Sequence, residues 1–440
     1  MDLNIHPTLG LNGEIKAPGS KSYSHRAFIA ASLAEGVSTL TNPLTSGDVG
    51  VTINLLKMLG VNILEKSNNT YLVEKTITSF KAMKNVLDCK NSGTTIRIFT
   101  ALSTIVEGGL SFTGEFLKRS RPILPLLDAL KSLGMDYKLT KTALRIWRTK
   151  NICETIKIRG DVSSQFITAL LIASPLLKCP KKDQIEIEIT TPLVSYPYIK
   201  ITLDVLKIFN VNVQERLDAE KKGKYYIPCN QTYRPQTYEI PGDFSSAAFF
   251  IAAAAISPND SKVVINNLDL RNPQGDKELI EILRQMGAHI DINEKKNQVI
   301  VYGNIKKCPL KGLKVNCREI PDLFPILSVI GAYAEGKTLL YNASNLRLKE
   351  SDRINVMARE LLKMGVKVRE GTDELTIYNC KSLKGSKIDH QNDHRIAMAC
   401  SIAALYADSS SLTKNIEITE DSYPSFVEDL IKIGANVQIQ

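Results

Sequence analysis

One type of segment recurs six times along this chain of 440 residues. Each copy closes with an apolar helical stripe that runs into a glycine or asparagine, at intervals of 69 to 78 residues: Gly60, Gly134, Asn210, Gly287, Gly365 and Gly434. Glycine, and next best asparagine, adopts the left-handed backbone conformation at least strain and so commonly ends a helix. A pattern that returns at a near-constant interval predicts one structural unit built six times.

The repeats also open alike, with a short strand that runs into a polar patch and then an apolar helix. These openings lie at residues 16–24, 88–97, 157–165, 239–246, 314–322 and 387–395. The second helix of each repeat is predicted to start at a residue type that caps helices, namely at Asp48, Ser120, Ser195, Asp276, Ser351 and Ser422. Alternating strands and helices predict an α/β fold, and the length predicts two cores of about three repeats each.

Several classes of protein are not expected from this sequence. The N-terminus has no apolar signal core, and the longest strongly apolar run, Ala247 to Ile256, is too short to span a bilayer, so we expect a cytoplasmic protein. The eight cysteines form no Cys-x-x-Cys pair, which is typical of free thiols and not of disulfide frameworks or zinc sites. His390 and His394 are four residues apart, but no third ligand is evident, and we expect no metal.

The net charge of +10 points to an anionic ligand only where the cations have an unusual position. Lysines in loop-like stretches, such as Lys181 and Lys182, are predicted to be solvated. Seven other cations lie in polar patches and helix starts: Lys21, Arg26, Arg97, Arg121, Lys349, Arg353 and Arg395. A cation is unfavourable at the positive end of a helix unless an anion joins it, which predicts a small-anion site. Simple caps and structural ion pairs remain the alternative.

Specific motifs run through the chain in a fixed order. They are Gly19-Ser-Lys-Ser, Asn91-Ser-Gly-Thr-Thr-Ile-Arg97, Arg121-Pro122, Ser163-Ser-Gln165, Ser195-Tyr-Pro-Tyr198, Asn345 through Lys349-Glu350-Ser-Asp-Arg353, and Asn392-Asp-His-Arg395. In this combination the chain resembles the 5-enolpyruvylshikimate-3-phosphate synthase family of enolpyruvyl transferases over essentially its whole length.

The resemblance implies an α/β (α+β) fold of two domains. Each would have three βαβαββ repeats about a pseudo-threefold axis, the inside-out α/β barrel of enolpyruvyl transferases. The Pro-Gly pairs at 18–19 and 241–242 would mark the two passages of the chain between domains. One domain would be 19–241, on the shikimate 3-phosphate side, and the other 1–18 with 242–440, on the side of phosphoenolpyruvate and the catalytic acid.

The reaction implied by the resemblance transfers the enolpyruvyl group of phosphoenolpyruvate to the 5-hydroxyl of shikimate 3-phosphate and releases phosphate. It would pass through a non-covalent tetrahedral ketal, without metal or cofactor, in the shikimate pathway to aromatic amino acids. Two phosphates and two carboxylates carry roughly −5 to −6 charges, which the seven cations match. The resemblance further implies a monomer that binds only these small molecules, with neither nucleic acid nor membrane as partner.

Site residues carry over from the family motif by motif. For shikimate 3-phosphate they are Lys21, Ser22, Arg26, Ser163, Ser164, Gln165, Ser195, Tyr198, Asp322, Asn345 and Lys349. For phosphoenolpyruvate they are Lys21, Gly93, Arg121, Gln165, Arg353 and Arg395. We expect Asp322 to be the base for the 5-hydroxyl and Glu350 the acid for the methylene carbon, with Lys21 assisting proton transfer.

The sequence departs from the family pattern at one position, and three alternative functions are open. Asp421 aligns where many members of the family carry a lysine, and a carboxylate there is expected to repel phosphoenolpyruvate. The alternatives are a UDP-N-acetylglucosamine enolpyruvyl transferase, an RNA 3′-phosphate cyclase, and a non-catalytic anion-binding protein of the same fold. The aromatic content of 6% shows no interleaving with basic residues for base stacking, which disfavours the RNA enzyme.

Overall fold

The computed structural model describes residues 1–75, 80, 86–150, 152–179 and 182–440, so Lys181 lies outside the described residues. The chain divides into two compact units. The continuous unit is Lys21–Ile240, and the discontinuous unit is Met1–Ser20 with Pro241–Gln440. These limits differ by one or two residues from the domain limits expected from sequence, and the assignment of one substrate to each unit stays a prediction.

The elements follow the chain from the discontinuous unit into the continuous unit and back. The first two strands are β1 (Leu3–Ile5) and β2 (Asn12–Lys16). The continuous unit contains α1 (Lys21–Leu33), β3 (Val37–Thr41), α2 (Gly47–Met58), β4 (Val61–Lys66), β5 (Thr70–Lys75), β6 (Leu87–Asp88), α3 (Gly93–Leu102), β7 (Leu110–Thr113), α4 (Glu115–Lys118), α5 (Leu124–Lys131), β8 (Met135–Leu139), β9 (Ala143–Arg148), β10 (Ile156–Ile158), α6 (Ser164–Ala173), β11 (Gln184–Ile189), α7 (Tyr196–Ile208), β12 (Gln214–Leu217), β13 (Gly223–Pro228) and β14 (Thr237–Glu239). The discontinuous unit resumes with α8 (Phe244–Ala255), β15 (Ser261–Asn266), α9 (Glu278–Gln285), β16 (His289–Asn293), β17 (Gln298–Gly303), β18 (Lys314–Asn316), α10 (Phe324–Tyr333), β19 (Lys337–Tyr341), α11 (Arg353–Lys363), β20 (Val368–Glu370), β21 (Leu375–Tyr378), β22 (Lys387–Ile388), α12 (His394–Ala404), β23 (Ser411–Thr413), α13 (Phe426–Lys432) and β24 (Val437–Ile439).

Within the described residues the strands form six four-stranded sheets, three in each unit. Each sheet has one parallel pair and two antiparallel pairs, as in the order β10-β11-β13-β12. In this sheet helix α6 connects the two parallel strands, and the last two strands form a hairpin, which is the βαβαββ order predicted for the repeats. The predicted α/β fold class is therefore confirmed.

The ends of each unit complete sheets that begin elsewhere in the chain. In the continuous unit β14 pairs in parallel with β3, with Tyr238 opposite Leu40. In the discontinuous unit β2 pairs in parallel with β15, and β1 inserts between β23 and β24. The first 20 residues thus supply one strand to the fourth repeat and one to the sixth.

The two helices of a repeat differ in burial, and this difference positions the candidate site. Each repeat's first helix lies in the core, and in α8 all twelve residues are buried. Each unit has its own apolar core, around α1, α3 and α6 in one and α8, α10 and α12 in the other. A helix surrounded along its length by apolar side chains leaves its ends for polar groups, and its first turn carries N–H groups that need partners.

The closing residues behave as predicted from the repeat. All six have a positive φ, from 63° at Asn210 to 103° at Gly287. Five of them directly follow the cap residue of the second helix of their repeat, and Gly134 lies two residues after Ser132, the cap of α5. The prediction of a left-handed helix end in every repeat is confirmed.

The predicted starts of the second helices are wrong in several repeats. Helices α5 and α13 begin four residues after Ser120 and Ser422, and Ser120 itself has a φ of 52°, which a right-handed helix excludes. The cap of α11 is Asp352, not Ser351, and its carboxylate accepts from the Asn355 amide. A capping residue type marks the neighbourhood of a helix start but not its exact position.

The prediction of eight free thiols is wrong for one pair. Cys153 and Cys179 form a disulfide with their Cα atoms 5.6 Å apart. The loop after β9 and the loop before β11 bring these residues together, which sequence spacing alone cannot reveal. The other cysteines are free. No helix in the described ranges is long and apolar enough to cross a membrane.

Candidate active site

Lys21, the first residue of α1, forms a close ion pair in the continuous unit. Its Nζ lies 2.6 Å from Oδ2 of Asp48, in the first turn of α2. Sequence reasoning treated Asp48 only as a helix-start residue and missed this pairing. The carboxylate fixes the position of the ammonium group that we expected to assist proton transfer.

Arg26 lies one turn further along α1 and points its guanidinium into the continuous unit. Nη1 donates to the Ser22 carbonyl over 2.7 Å, and Nη2 donates to the Tyr198 carbonyl over 3.1 Å. Nε and Nη2 also donate to the hydroxyls of Thr202 and Thr168. Burial lowers the pKa of Arg26 to about 10. Arg26 therefore ties together two predicted substrate-binding residues, one on α1 and one on α7.

Two further arginines meet at the start of α3. Arg97 donates from Nη1 to Oε1 of Gln165, and Arg121 donates from Nη1 to the Asn91 carbonyl over 2.7 Å. A Cβ at Gly93 would lie 3.0 Å from Arg97 Nη1 and 3.1 Å from Arg121 Nη2. A side chain at Gly93 would therefore press on both guanidinium groups. The missing side chain keeps the backbone close to two positive charges.

Predicted hydroxyl and amide residues cluster at the starts of α6 and α7. Ser163 caps α6 by accepting from the Gln165 amide over 3.3 Å, and Ser164 is the first helical residue. Ser195 adopts a left-handed conformation with φ 55° before α7. Its carbonyl accepts from the Tyr198 amide over 3.1 Å. The structure thus brings both groups to helix N-termini of the same unit.

Arg353, the first residue of α11, is the centre of the discontinuous unit's candidate site. It is 1% exposed and contacts three carboxylates. Nη1 lies 2.8 Å from Asp322, Nη2 lies 2.9 Å from Glu350, and Nε lies 2.8 Å from Asp393. Burial alone would lower the pKa of Arg353, but the carboxylates outweigh it and raise the pKa. The guanidinium therefore stays charged and holds both predicted catalytic acids.

Two more cations approach Asp322. Nη2 of Arg395 lies 3.1 Å from Oδ2, and Nζ of Lys349 lies 3.8 Å from Oδ1. Burial lowers the pKa of Lys349, which Asp322 partly offsets. Asn345 is buried in the short helical turn before Lys349. We call Arg353, Arg395, Lys349 and their carboxylate partners Asp322, Glu350 and Asp393 the Arg353 cluster.

Asp393 holds the Arg353 cluster together, and sequence reasoning did not single it out. It caps α12 by accepting from the Arg395 amide over 3.0 Å, and it also accepts from the Ser351 hydroxyl. One carboxylate therefore fixes both Arg353 and the start of the helix that carries Arg395. Its signal was its place in the Asn392-Asp-His-Arg395 motif.

Asp421, the departure noted in the sequence, lies near an imidazole. Its Oδ2 is 3.9 Å from Nδ1 of His394, which is buried at the start of α12. The carboxylate thus lies close to the helix that carries Arg395. Its expected repulsion of phosphoenolpyruvate stays a prediction.

The chain as a whole matches one protein family. The sequence model of EPSP synthase (3-phosphoshikimate 1-carboxyvinyltransferase) matches residues 5–430. The chain belongs to the EPSP synthase family. Similar members of this family are the 3-phosphoshikimate 1-carboxyvinyltransferases of Methanocaldococcus jannaschii and of Methanococcus maripaludis strain C5. The first is 42% identical over 100% of this chain and 99% of its own length, and the second 40% over 99% and 100%.

Solved structures agree with this membership. The EPSP synthase from Acinetobacter baumannii superposes with a TM-score of 0.80 at 26% identity, over 100% of this chain and 99% of that one. The enolpyruvyl transferase NikO from Streptomyces tendae has a TM-score of 0.74 at 17% identity, over 99% and 98% of the two chains, and shows the shared fold. The family and the two-domain enolpyruvyl transferase fold expected for an EPSP synthase are confirmed.

Proposed function

We propose that this chain is a 3-phosphoshikimate 1-carboxyvinyltransferase that transfers the enolpyruvyl group of phosphoenolpyruvate to the 5-hydroxyl of shikimate 3-phosphate and releases phosphate. The observation that carries the proposal is the Arg353 cluster, in a chain that matches the family model over residues 5–430. Three cations and two candidate proton-transfer acids lie together there. The reaction belongs to the shikimate pathway of aromatic amino acid synthesis.

The proposed proton transfers use the two acids that Arg353 separates. Asp322 accepts the proton of the 5-hydroxyl as the hydroxyl oxygen bonds to carbon 2 of phosphoenolpyruvate. Glu350, protonated in the substrate complex, donates its proton to carbon 3. The product is a tetrahedral ketal. Glu350, ionised by the addition, then takes a proton back from carbon 3 as the bond from carbon 2 to the phosphate oxygen breaks. The leaving phosphate takes the proton held by Asp322, and the new enol ether is released. Lys21 assists these transfers from its pairing with Asp48.

We propose that phosphoenolpyruvate binds to cationic side chains, one side-chain amide and one glycine backbone: Lys21, Arg121, Arg353, Arg395, Gln165 and Gly93. Lys21 and Gln165 also belong to the set proposed for shikimate 3-phosphate. Within the phosphoenolpyruvate set Arg353 has a particular constraint, because it already makes four hydrogen bonds to carboxylates. A guanidinium has five N–H donors, so a substrate anion on Arg353 must share the group with its acids or displace one of them. Arg395 pairs with Asp322, and we expect this cation to balance most of the charge of the bound anion.

Shikimate 3-phosphate is proposed to bind to hydroxyl, amide and charged side chains: Lys21, Ser22, Arg26, Ser163, Ser164, Gln165, Ser195, Tyr198, Asp322, Asn345 and Lys349. Helix-start hydroxyls and amides are suited to phosphate, since they add donors to the unpaired N–H groups of the first turn. Arg26 supports this set by its bonds to the carbonyls of Ser22 and Tyr198.

The deciding experiment incubates the purified protein with phosphoenolpyruvate and shikimate 3-phosphate and measures phosphate release. A parallel reaction replaces shikimate 3-phosphate with UDP-N-acetylglucosamine. Release with shikimate 3-phosphate alone supports the proposal, and release only with the sugar nucleotide overturns it. Binding of both substrates without release under either condition would favour a non-catalytic anion-binding protein. Cytoplasmic location and a monomeric state are part of the proposal, and size-exclusion chromatography with light scattering tests the latter.

A further inference from the structure

Asp276 is a buried carboxyl group that no step above uses. It lies in the short helical turn Gly275–Lys277 before α9 and is 3% exposed. Oδ2 accepts a hydrogen bond from the Ser245 hydroxyl in the first turn of α8. Oδ1 accepts no hydrogen bond from any described residue. A buried carboxylate with one oxygen unsatisfied is costly when ionised and inexpensive when that oxygen carries a proton.

The position of Asp276 is fixed by its neighbours. Oε1 of Gln274 accepts from the Phe244 amide over 3.0 Å, and Nε2 of Gln274 donates to the Gly242 carbonyl over 2.7 Å. These bonds join the turn to the start of α8, where Ser245 also holds Asp276. The carboxyl group would lose its hydrogen bond from Ser245 if it turned outward to solvent.

Asp276 interacts electrostatically with the Arg353 cluster. Burial and the negative charge of Asp322 raise its pKa, Asp243 adds to the rise, and Arg395 opposes it, with the result that the pKa is raised to about 7. The charged residues that follow Asp276 in the chain do not offset the rise in its pKa. Lys277 donates from Nζ to the carbonyls of Leu270 and Asn272, and Glu278 is exposed.

The charge balance of the site depends on this carboxyl group. In the substrate-free protein, where Glu350 is ion-paired with Arg353, the cluster contains as many cations as carboxylates, so an ionised Asp276 adds a negative charge in excess. A substrate anion that binds to Arg395 neutralises the positive charge that had stabilised the ionised form of Asp276. The arriving anion and the carboxylate of Asp322 then both disfavour a second buried negative charge nearby.

We propose that Asp276 takes up one proton from solvent when an anionic substrate binds against Arg395, and so keeps the cluster's charge in balance. The O–H bond forms at Oδ1, and the proton returns to solvent when the anion leaves. The identity of the anion, phosphoenolpyruvate, rests on the proposed function. Asp276 is a charge-compensating residue in this scheme and does not touch the reacting atoms.

The test is isothermal titration of the full-length protein with phosphoenolpyruvate at pH 6, 7 and 8, in pairs of buffers with different ionisation enthalpies. Asp276→Asn is neutral at every pH. If the anion binds only when Asp276 is protonated, wild-type affinity falls about tenfold relative to D276N at pH 8 and about twofold at pH 7. The wild type should also take up nearly one proton more than D276N at pH 8. Equal proton uptake and equal pH dependence in the two proteins overturn the inference.

A second variant and a control complete the design. Ser245→Ala removes the hydrogen bond to ionised Oδ2, so its loss of affinity should begin at a higher pH than in the wild type, even if D276N does not fold. Asp269→Asn, in the loop before the same turn and paired with the exposed Arg271, should behave as wild type. A wild type that neither binds phosphoenolpyruvate nor releases phosphate overturns the proposed function as well. Normal turnover with no change in S245A and D276N overturns only the inference.

Discussion

Arg353 and Asp322 form an ion pair in which Nη1 lies 2.8 Å from Oδ1. The other η-nitrogen of the same guanidinium holds Glu350, so a single rigid, planar group sets the spacing of the two candidate catalytic acids. The third partner, Asp393, anchors the guanidinium to the start of α12. The relationship between acid and arginine is therefore one of orientation as well as charge.

Replacing Arg353 should lower both stability and activity. In R353A three carboxylates lose a buried partner, and we expect a loss of about 3 to 5 kcal/mol in the free energy of unfolding. R353K should lose less stability than R353A. It should still release phosphate more slowly than the wild type, because an ammonium group lacks the planar fork of donors that orients the two acids. Urea unfolding and a phosphate assay measure the two effects.

The matched control for Arg353 is R271A. Arg271 also pairs with an aspartate, but its side chain is 81% exposed, so its removal should leave unfolding and activity nearly unchanged. An R353A protein as stable as R271A would contradict the central role of Arg353.

The catalytic roles of Asp322 and Glu350 should be separable from substrate binding. We expect Asp322→Asn and Glu350→Gln each to lower kcat by about 10²- to 10⁴-fold, the usual contribution of a positioned acid or base. Both variants keep hydrogen-bonding groups of similar shape beside Arg353. Saturating-substrate measurements of phosphate release check this, with Glu370→Gln as control, since Glu370 pairs with Arg347 and is not a member of the cluster. Near-normal release in both variants would remove them from the mechanism.

Features set by local sequence were predictable. A helix end needs a residue that tolerates positive φ, and a buried helix needs a continuous apolar run, so the six closing residues and core helices such as α8 follow from the chain itself. The seven cations in polar patches and helix starts predict an anion site, which stays a prediction.

Features set by contacts between repeats were not predictable. The pairs Lys21 with Asp48 and Cys153 with Cys179 depend on loops and helix starts that only the folded chain brings together. The inward direction of Arg26 is another case. Because it lies one turn inside a buried helix, its guanidinium meets protein carbonyls and hydroxyls that no local pattern encodes.

Substitution of Asp421 tests whether this position faces phosphoenolpyruvate. If its carboxylate repels phosphoenolpyruvate, Asp421→Lys should lower the KM for phosphoenolpyruvate by about fivefold or more, since one charge interaction near a protein surface is worth about 1 kcal/mol or above. Asp421→Asn should lie between the two. Glu420→Lys, a charge reversal at the exposed neighbouring residue, is the control. An unchanged KM in D421K would exclude Asp421 from the site.

His25 should make stability depend on pH. Burial lowers the pKa of His25 well below its usual value, and Lys21 and Arg26 lower it further. The unfolded chain therefore takes up a proton below about pH 6.5 that the folded protein does not, and stability falls as the pH falls. Between pH 7.5 and 5.5 we expect His25 to account for a loss of about 1.4 kcal/mol.

The measurement for His25 compares urea unfolding of the wild type and His25→Gln at these two pH values. The variant should lose less stability than the wild type on acidification, by the amount given above. His289→Gln, which replaces an exposed histidine, should keep the wild-type pH dependence. A slope that persists unchanged in H25Q would show that His25 is not the source.

The Cys153 to Cys179 disulfide should stabilise the folded protein, because it closes a loop between residues 26 apart in sequence and so restricts the unfolded chain. A loop of this length corresponds to about 3.5 kcal/mol in the chain-entropy estimate. We expect Cys153→Ser, or reduction of the wild type with dithiothreitol, to lower the free energy of unfolding by that order. Cys308→Ser, at an exposed free thiol, is the control. Because neither cysteine is among the predicted site residues, phosphate release at 25 °C should stay close to wild type. A C153S protein with unchanged stability under non-reducing conditions would mean that the two sulfurs are not bonded in solution.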